Sequence, residues 1–288
     1  MSLNNIKNAI NSCYLDTVLV NLFHPSGKLS SILDESGNSD EDNEVGSLIL
    51  TRFREFLRFE DINEEAMSAL RELLVFHGWS KNDEMYFQQD ISEFYLFIAH
   101  HLKLPTADFT IKYFVDKGEK KSEEVEKLPY IPLSLPENKE KDTVIDIFSQ
   151  WLHNNKVDSD DTSAFKSYEM TNIPEFMILT LNRFTKEDQR NEMPIDISNV
   201  IYPMKEESGT LRYEFTGCIC HKGNNLHHGH YYSLVVLHNE TNGEDELYLF
   251  NDLKEKSFEK FNASNEELMK EIQKEVVMAF YKSKIGVC

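Results

Sequence analysis

The sequence predicts an α+β fold, with helices in the first third of the chain and β-strands in most of the remainder. Before Pro105, apolar residues recur at intervals of three and four, which is typical of amphipathic helices. After Pro105, short apolar stretches alternate with polar turns, which indicates strands. Segregation of helices from strands favours an α+β architecture over a doubly wound parallel sheet. The 288 residues are enough to bury a substantial core.

The helical part opens with a predicted helix from Asn11 to Phe23, in which Tyr14, Leu15, Val18, Leu19 and Leu22 are among the apolar positions. Asn11 or Ser12 can cap this helix, which places Cys13 in its first turn. Residues 34–46 contain six acids and no base, and this composition predicts a solvated loop. The further predicted helices cover residues 47–59, 62–77 and 90–102.

The strand-rich part begins with FTIKYFV, followed by the charged stretch VDKGEKKSEEVEK, interpreted as a polar turn, and then by LPYIPLSLP. A short helix is predicted over residues 143–152. The remaining predicted strands cover residues 176–184, 213–220, 230–238, 246–250 and 275–282.

The composition of the chain indicates which kinds of partner and cellular environment it suits. The net charge of −20 disfavours binding to phosphate backbones or anionic lipid and suits a partner with positive charge. The sequence has no apolar run long enough to span a membrane and no apolar leader at its start, so we expect a soluble, intracellular protein. The four cysteines are too few for a disulfide framework, and they form no CxxC pair.

Cys13 is the first candidate for chemistry. A thiol at the start of a helix lies near the positive end of the helix dipole, which is expected to lower its pKa and favour the nucleophilic thiolate. The alternative is a buried cysteine that packs as a small apolar residue.

His230 is the candidate base, because it follows Gly229 and opens a predicted strand that would hold the imidazole rigidly. Asn251 and Asp252 follow another predicted strand, and either side chain can accept the imidazole N–H and fix its tautomer. The alternative is that these two residues only begin a turn.

A zinc site is the competing interpretation of the histidines. Its candidate ligands are His221, His227, His228, His230, Cys218 and Cys220. Against it, Cys218 and Cys220 are two apart on a predicted strand, so both are expected on its core face. In the stretch FQQDISEF, Asp90 and Glu93 predict a capping box at the start of a helix, and the two glutamines and two acids also suit an extended basic peptide.

Four ordered segments together resemble the ubiquitin-specific proteases, which are papain-like cysteine peptidases with thumb, palm and fingers. NAINSCYLDTVLVNLF is similar to their cysteine box, QQDISEF to their QQD element, FMILTLNRF to an internal strand, and GCICHKGNNLHHGHYYSLVV with LYLFND to their histidine box. EVVMAFYK is similar to their closing strand. The resemblance implies one catalytic domain over residues 1–288, with a helical thumb over 1–104, reduced fingers over 105–175 and a β-sheet palm over 176–288.

The resemblance implies catalytic roles for five residues. Cys13 matches the nucleophile and His230 the general base. Asn251 matches the third member of the triad, and Asp252 matches a neighbouring acid that supports the site. Asn8, five residues before the nucleophile, matches a side chain that stabilises the oxyanion, as a preorganised amide donor can.

The resemblance also implies substrate contacts. Asp90 matches a contact for the basic tail of the substrate, and Gln89 and Glu93 belong to the same element. Gly229 and Tyr231 match the rim of the narrow channel that receives the terminal Gly-Gly.

The sequence departs from the family pattern in three places. Ile10 stands where the cysteine box usually has glycine. NSCYLD is most similar to the cylindromatosis-type branch. The paired CxxC elements that bind zinc in many family fingers are absent, so we expect zinc-free fingers held by hydrophobic packing.

The expected function is therefore that of a deubiquitinase, acting on ubiquitin, polyubiquitin chains or ubiquitinated proteins without a metal or organic cofactor. We expect a cytoplasmic monomer, with the nucleus or a host cytosol as other locations, and no nucleic-acid or membrane partner. The alternatives are a protease for another ubiquitin-like modifier, a catalytically silent ubiquitin-binding scaffold, and a zinc-dependent hydrolase.

Overall fold

The computed structural model describes most of the chain, with gaps at both ends and between elements. Residues 34–45 of the predicted loop and most of the predicted helix 47–59 lie outside the described residues. The described ranges are 5–23, 46–47, 49, 51, 62–81, 83–115, 119–136, 139–153, 155–157, 164–185, 189–203, 211–225, 228–239, 243–262 and 264–285.

Five helices have bounds in this part of the chain. They are α1 (Cys13–Phe23), α2 (Glu64–Phe76), α3 (Ile91–His101), α4 (Val144–His153) and α5 (Glu266–Glu275). Every residue of α1 is buried, which fits a helix that is apolar nearly all round. No described helix is long and apolar enough to cross a membrane.

The strands form three sheets. The first strands are β1 (Ala107–Val115), β2 (Glu119–Leu128), β3 (Ile131–Ser134), β4 (Asp142–Thr143), β5 (Asn155–Val157), β6 (Ala164–Met170) and β7 (Phe176–Asn182). The remaining strands are β8 (Ile195–Asp196), β9 (Val200–Ile201), β10 (Leu211–Asn225), β11 (His228–Asn239), β12 (Glu244–Phe250), β13 (Phe258–Lys260) and β14 (Val276–Ile285).

The central sheet has the order β13-β12-β11-β10-β14-β7-β3, with β9 paired beside β10. All its pairs are antiparallel except β3 with β7. A hydrophobic core lies on each face of this sheet. Neighbouring residues of one strand pack into different cores, because successive side chains point to opposite faces. Ile219 packs into the core that contains α1, α2 and α3, whereas Cys218 and Cys220 pack into the core that contains α4. The sheet is therefore buried on both faces, and α1 lies against β10 and β11 on one of them.

The smaller sheet has the order β2-β1-β6-β5, and strands β4 and β8 form a separate parallel pair. The charged stretch predicted as a turn contributes most of β2, so that interpretation was wrong. Residues 122–127 are all exposed, and β2 pairs only with β1 along one edge. Such an edge strand has no buried face to produce an alternating pattern, and its charges discourage pairing with other chains.

The predicted helix starts agree with the structure where they can be compared. The Asp90 side chain accepts hydrogen bonds from the backbone N–H groups of Ser92 and Glu93 at 2.8 and 3.0 Å, so Asp90 caps α3 as predicted. Helix α5 was not predicted. It is strongly polar, and Ile272 is its one buried residue.

Candidate active site

Cys13 is held at the first residue of α1 by a tight turn. Asn11 has φ +56°, a left-handed conformation that asparagine tolerates better than most residues. The hydroxyl of Ser12 accepts the Ala9 N–H at 2.9 Å and donates to Asp16 Oδ2 at 2.8 Å. These bonds fix the chain immediately before the thiol, which is only 3% exposed.

The groups around the Cys13 thiol have opposing effects on its pKa. Burial raises its pKa to about 12, and the nearby carboxyl groups of Asp252 and Asp16 act in the same direction. Hydrogen bonds from the backbone N–H groups of Tyr231 and Tyr14 favour the thiolate but are outweighed. The start of the helix therefore acts as expected through the Tyr14 N–H, but burial has the larger effect, so the net pKa of Cys13 is raised and not lowered.

His230 lies near the start of β11, beside the ends of two other segments. Its Nε2 is 3.0 Å from Asn251 Oδ1 and 3.4 Å from Asp252 Oδ1. Both atoms are acceptors, so Nε2 carries the proton and Nδ1 is left as the basic nitrogen. The backbone N–H of the next residue, Tyr231, bonds the Cys13 thiol, so imidazole and thiol are held by adjacent residues of one strand.

Asn8 and Asp252 join the segment before Cys13 to the turn after β12. Asn8 Nδ2 donates to Asp252 Oδ2 at 2.6 Å, and the Asn8 backbone N–H donates to the Asp252 carbonyl at 3.4 Å. A side-chain amide has two N–H groups, so this bond leaves one for another acceptor. The structure thus brings Cys13, His230 and Asn251 together with both of these supporting residues.

A cleft of about 600 Å³ lies beside this group. Of the proposed substrate contacts, Gln89 and Gly229 line it. The other lining residues are Asn11, Glu84, Phe87, Gln88 and His228. The remaining three proposed contacts, Asp90, Glu93 and Tyr231, are not among these lining residues. Asp90 is half-buried as the cap of α3, and Tyr231 is buried.

The geometry does not support the zinc interpretation. Cys218 and Cys220 face the core, as predicted, whereas His221 is the next residue of the same strand and points to the opposite face. The His221 ring lies against Phe184 and Tyr231, and its Nε2 is 3.0 Å from Gln88 Nε2. His227 lies outside the described residues, and among those that are described no cluster could hold a metal.

Three buried side chains near the site were not predicted to take part in it. Asp16 is the single charged residue of a mostly apolar helix, and that isolation is the signal that could have found it. Arg71 of α2 donates to the Ile10 carbonyl, and its guanidinium lies 4.7 Å from the centre of the Tyr86 ring. His221 is predicted from the sequence only as a candidate zinc ligand.

The chain is similar to known proteins in family and in fold. Residues 4–281 match the model of a family described as ubiquitin carboxyl-terminal hydrolase. No curated protein sequence matches the chain. The chain is similar to the structure of the SAGA Ubp8/Sgf11/Sus1/Sgf73 DUB module bound to ubiquitin aldehyde, with TM-score 0.73 and 15% identity over 98% of this chain and 70% of that chain. A second structure, the same module bound to monoubiquitin, gives TM-score 0.73 and 15% identity over 98% and 69%.

At 15% identity the structural likeness shows a shared fold, and it confirms the predicted α+β protease architecture. The cylindromatosis-type branch stays a prediction. Because the family model spans nearly the whole sequence, the chain belongs to the ubiquitin carboxyl-terminal hydrolase family.

Proposed function

We propose that this protein is a deubiquitinase, which hydrolyses the isopeptide or peptide bond after the C-terminal glycine of ubiquitin by thiol chemistry. The observation that carries the proposal is the contact between His230 Nε2 and Asn251 Oδ1 at 3.0 Å, next to the bond from the Tyr231 N–H to Cys13. That contact orients the His230 imidazole and leaves its Nδ1 available as a base. The next residue, Tyr231, holds the Cys13 thiol.

The first step transfers a proton and forms a thioester. In the free enzyme Cys13 is a neutral thiol, because its pKa is raised to about 12. His230 Nδ1 therefore takes the proton as the sulfur attacks the glycine carbonyl carbon. The tetrahedral adduct collapses when the C–N bond breaks, and His230 returns the proton to the departing amine.

The second step releases ubiquitin. His230 Nδ1 removes a proton from water, and the oxygen of that water attacks the thioester carbonyl. When the C–S bond breaks, the Cys13 thiolate recovers its proton from His230. The products are the original thiol and a C-terminal carboxylic acid on ubiquitin, which releases its proton to solvent, so the reaction needs no metal or organic cofactor.

Asn8 is proposed to stabilise the oxyanion in both steps. One N–H of its side chain is fixed by Asp252 Oδ2, which orients the amide before substrate arrives. A donor that is already oriented costs no reorganisation during the reaction, and loss of one such donor lowers kcat by about 100-fold to 1,000-fold.

The cleft supports an extended polypeptide tail as the substrate segment. Its wall contains Glu84, Gln88 and Gln89. Their carboxylate and two amides can bind an extended peptide that has basic side chains. The net charge of −20 adds long-range attraction for a basic tail and disfavours a nucleic acid.

The proposal is tested by covalent capture with ubiquitin that carries a C-terminal electrophile. Wild type should form an adduct, and Cys13→Ala should not. Asn8→Ala should fold normally and lose about 100-fold or more in kcat on a fluorogenic ubiquitin substrate. An adduct with a different ubiquitin-like modifier and none with ubiquitin would overturn the substrate, and no adduct with any modifier on folded protein would overturn the enzyme assignment.

A further inference from the structure

Two buried carboxyl groups meet behind the catalytic histidine. Asp16, in the first turn of α1, is 1% exposed, and Asp252, in the turn after β12, is 2% exposed. Their side chains lie within hydrogen-bonding distance of each other. Asp252 also faces His230 Nε2 at 3.4 Å, so the pair is connected to the reacting groups.

Two ionised carboxylates cannot form that contact, because both are acceptors and they repel each other. Asp16 Oδ2 accepts a bond from Ser12 and Asp252 Oδ2 accepts one from Asn8. The Oδ1 atom of each aspartate receives no hydrogen bond from any N–H or O–H donor of the described residues. Buried oxygens without a donor are costly, and one proton between the two groups removes both the repulsion and the missing bond.

We propose that Asp16 holds this proton and donates it to the Asp252 carboxylate, so that the pair carries a single negative charge placed beside His230. Asp16 is then a positioning residue for the reaction. It touches neither substrate nor reacting atoms, and it acts by fixing the orientation and the charge of Asp252.

The surrounding groups decide which aspartate is protonated. Asp252 receives an amide N–H from Asn8 and faces the Nε2–H of His230, so two donors already point at this carboxyl group. Asp16 receives one bond, from the neutral hydroxyl of Ser12. The other titratable or charged groups that act on Asp16 or are affected by its charge are Arg71 from α2 and Cys13 and Tyr14 from its own helix.

The electrostatics of the pair agree with this placement. Burial raises the pKa of Asp16 well above its usual range, and the charge of Asp252 raises it further. The Ser12 hydrogen bond and the charge of Arg71 lower it, but they are the smaller effects. A single charge next to His230 also stabilises the imidazolium that forms when Cys13 gives up its proton.

The proposal has a pH signature. Because the pKa of Asp16 is raised in the folded state, the folded protein binds a proton that the unfolded chain releases. The stabilisation is therefore complete below the usual pKa of an aspartate and is lost as the pH rises towards the folded value. Asp16→Asn keeps a donor towards Asp252 and removes the titration, so its stability should not fall with pH in this way.

The test uses Asp16→Asn and Asp252→Asn as a matched pair, since each leaves one carboxylate and one amide at the same place. We expect the Tm of Asp16→Asn minus that of wild type to increase steadily as the pH is raised from acid to neutral. An infrared band of a protonated carboxyl group should be present in wild type at neutral pH and absent in Asp16→Asn. Both readouts are independent of ubiquitin, so their failure is distinct from failure of the proposed function.

The activity arm rests on the proposed function. On a fluorogenic ubiquitin substrate, we expect Asp252→Asn to lower kcat/KM by about 100-fold, because it moves the charge away from His230, and Asp16→Asn to lower it by less than about tenfold. Asp16→Ala, which removes the donor, should lose more than Asp16→Asn. A Tm difference that does not change with pH, the absence of the infrared band in wild type, or an Asp16→Asn protein that does not fold would overturn the proposal.

Discussion

The imidazole of His221 lies directly against Gly229, the residue before His230, which we propose as the general base. A Cβ atom at position 229 would stand 2.4 Å from His221 Nε2 and 2.7 Å from the Lys222 carbonyl oxygen. His221 cannot easily move aside, because it is buried between Phe184 and Tyr231. Glycine is therefore required by the space at this position, one residue from His230.

We expect Gly229→Ala to lower kcat/KM by about 10-fold to 100-fold, because the strand must shift and carry His230 out of alignment. The measurement is steady-state hydrolysis of a fluorogenic ubiquitin substrate. Gly243→Ala is the control. Gly243 has φ +73°, and no atom of the described residues lies within 4 Å of its Cβ direction, so this change should cost about 1 kcal/mol of stability and spare activity. Full activity in Gly229→Ala would contradict the steric argument.

His221 should make the protein sensitive to acid. Burial lowers its pKa to about 4, and the charges of Arg190 and His230 add to this effect. In the unfolded chain a histidine titrates near about 6.5, so between these values the unfolded state binds the proton and stability falls as the pH falls. The full loss, reached below the folded pKa, is about 3 kcal/mol.

Urea unfolding of wild type and His221→Gln between about pH 7.5 and about pH 4.5 measures this dependence. Wild type should lose more stability than His221→Gln over the range. His153→Gln removes an exposed histidine at the end of α4 and should retain the wild-type dependence. Parallel curves for wild type and His221→Gln would show that His221 is not held neutral by its surroundings.

The turn before Cys13 should depend on Asn11 for two separate reasons. Its φ of +56° disfavours residues other than glycine and asparagine, and its Nδ2 donates to the Tyr86 carbonyl at 2.9 Å. We expect Asn11→Ala to cost about 2 to 3 kcal/mol, because it adds backbone strain to the loss of the bond. Asn11→Gly should cost less, since it loses the bond without the strain.

Denaturant unfolding at neutral pH separates the two contributions. If Asn11→Gly is as destabilised as Asn11→Ala, the backbone conformation contributes nothing and the hydrogen bond to Tyr86 accounts for the whole effect. A wild-type stability for both variants would mean that neither feature holds the turn.

The features that were predicted correctly are those that depend on residues close together in the sequence. The apolar spacing of α1 and the Asp90 cap of α3 each depend on a few neighbouring residues, and both are present. Strand β2 was missed because it is an exposed edge strand. It is defined by its backbone pairing with β1, and its own sequence has no alternating apolar pattern that would predict it.

The chemistry at Asp16 and Cys13 depends on distant segments. The sequence places a carboxyl group and a thiol on one helix, but burial by the sheet and the approach of Asp252 decide their protonation. A helix dipole is a local effect and was anticipated. Desolvation is set by tertiary packing, and it outweighs the dipole at Cys13.

The raised pKa of Cys13 leads to the last prediction, which concerns alkylation of the free enzyme. Since the thiol titrates near about 12, only a very small fraction is thiolate at neutral pH, and the rate of reaction with iodoacetamide should still increase with pH above about pH 9. Mass spectrometry of the modified peptide distinguishes Cys13 from Cys218 and Cys220, which are buried in the core.

The pH at which the rate levels off reports the thiol pKa, whereas the absolute rate also reflects access to a buried sulfur. His230→Ala is the informative variant, because it removes the imidazole that would form an ion pair with a thiolate. A profile that rises through alkaline pH in both proteins supports a neutral thiol that loses its proton to His230 during attack. A plateau at neutral pH in wild type that is lost in His230→Ala would instead show a preformed thiolate–imidazolium pair.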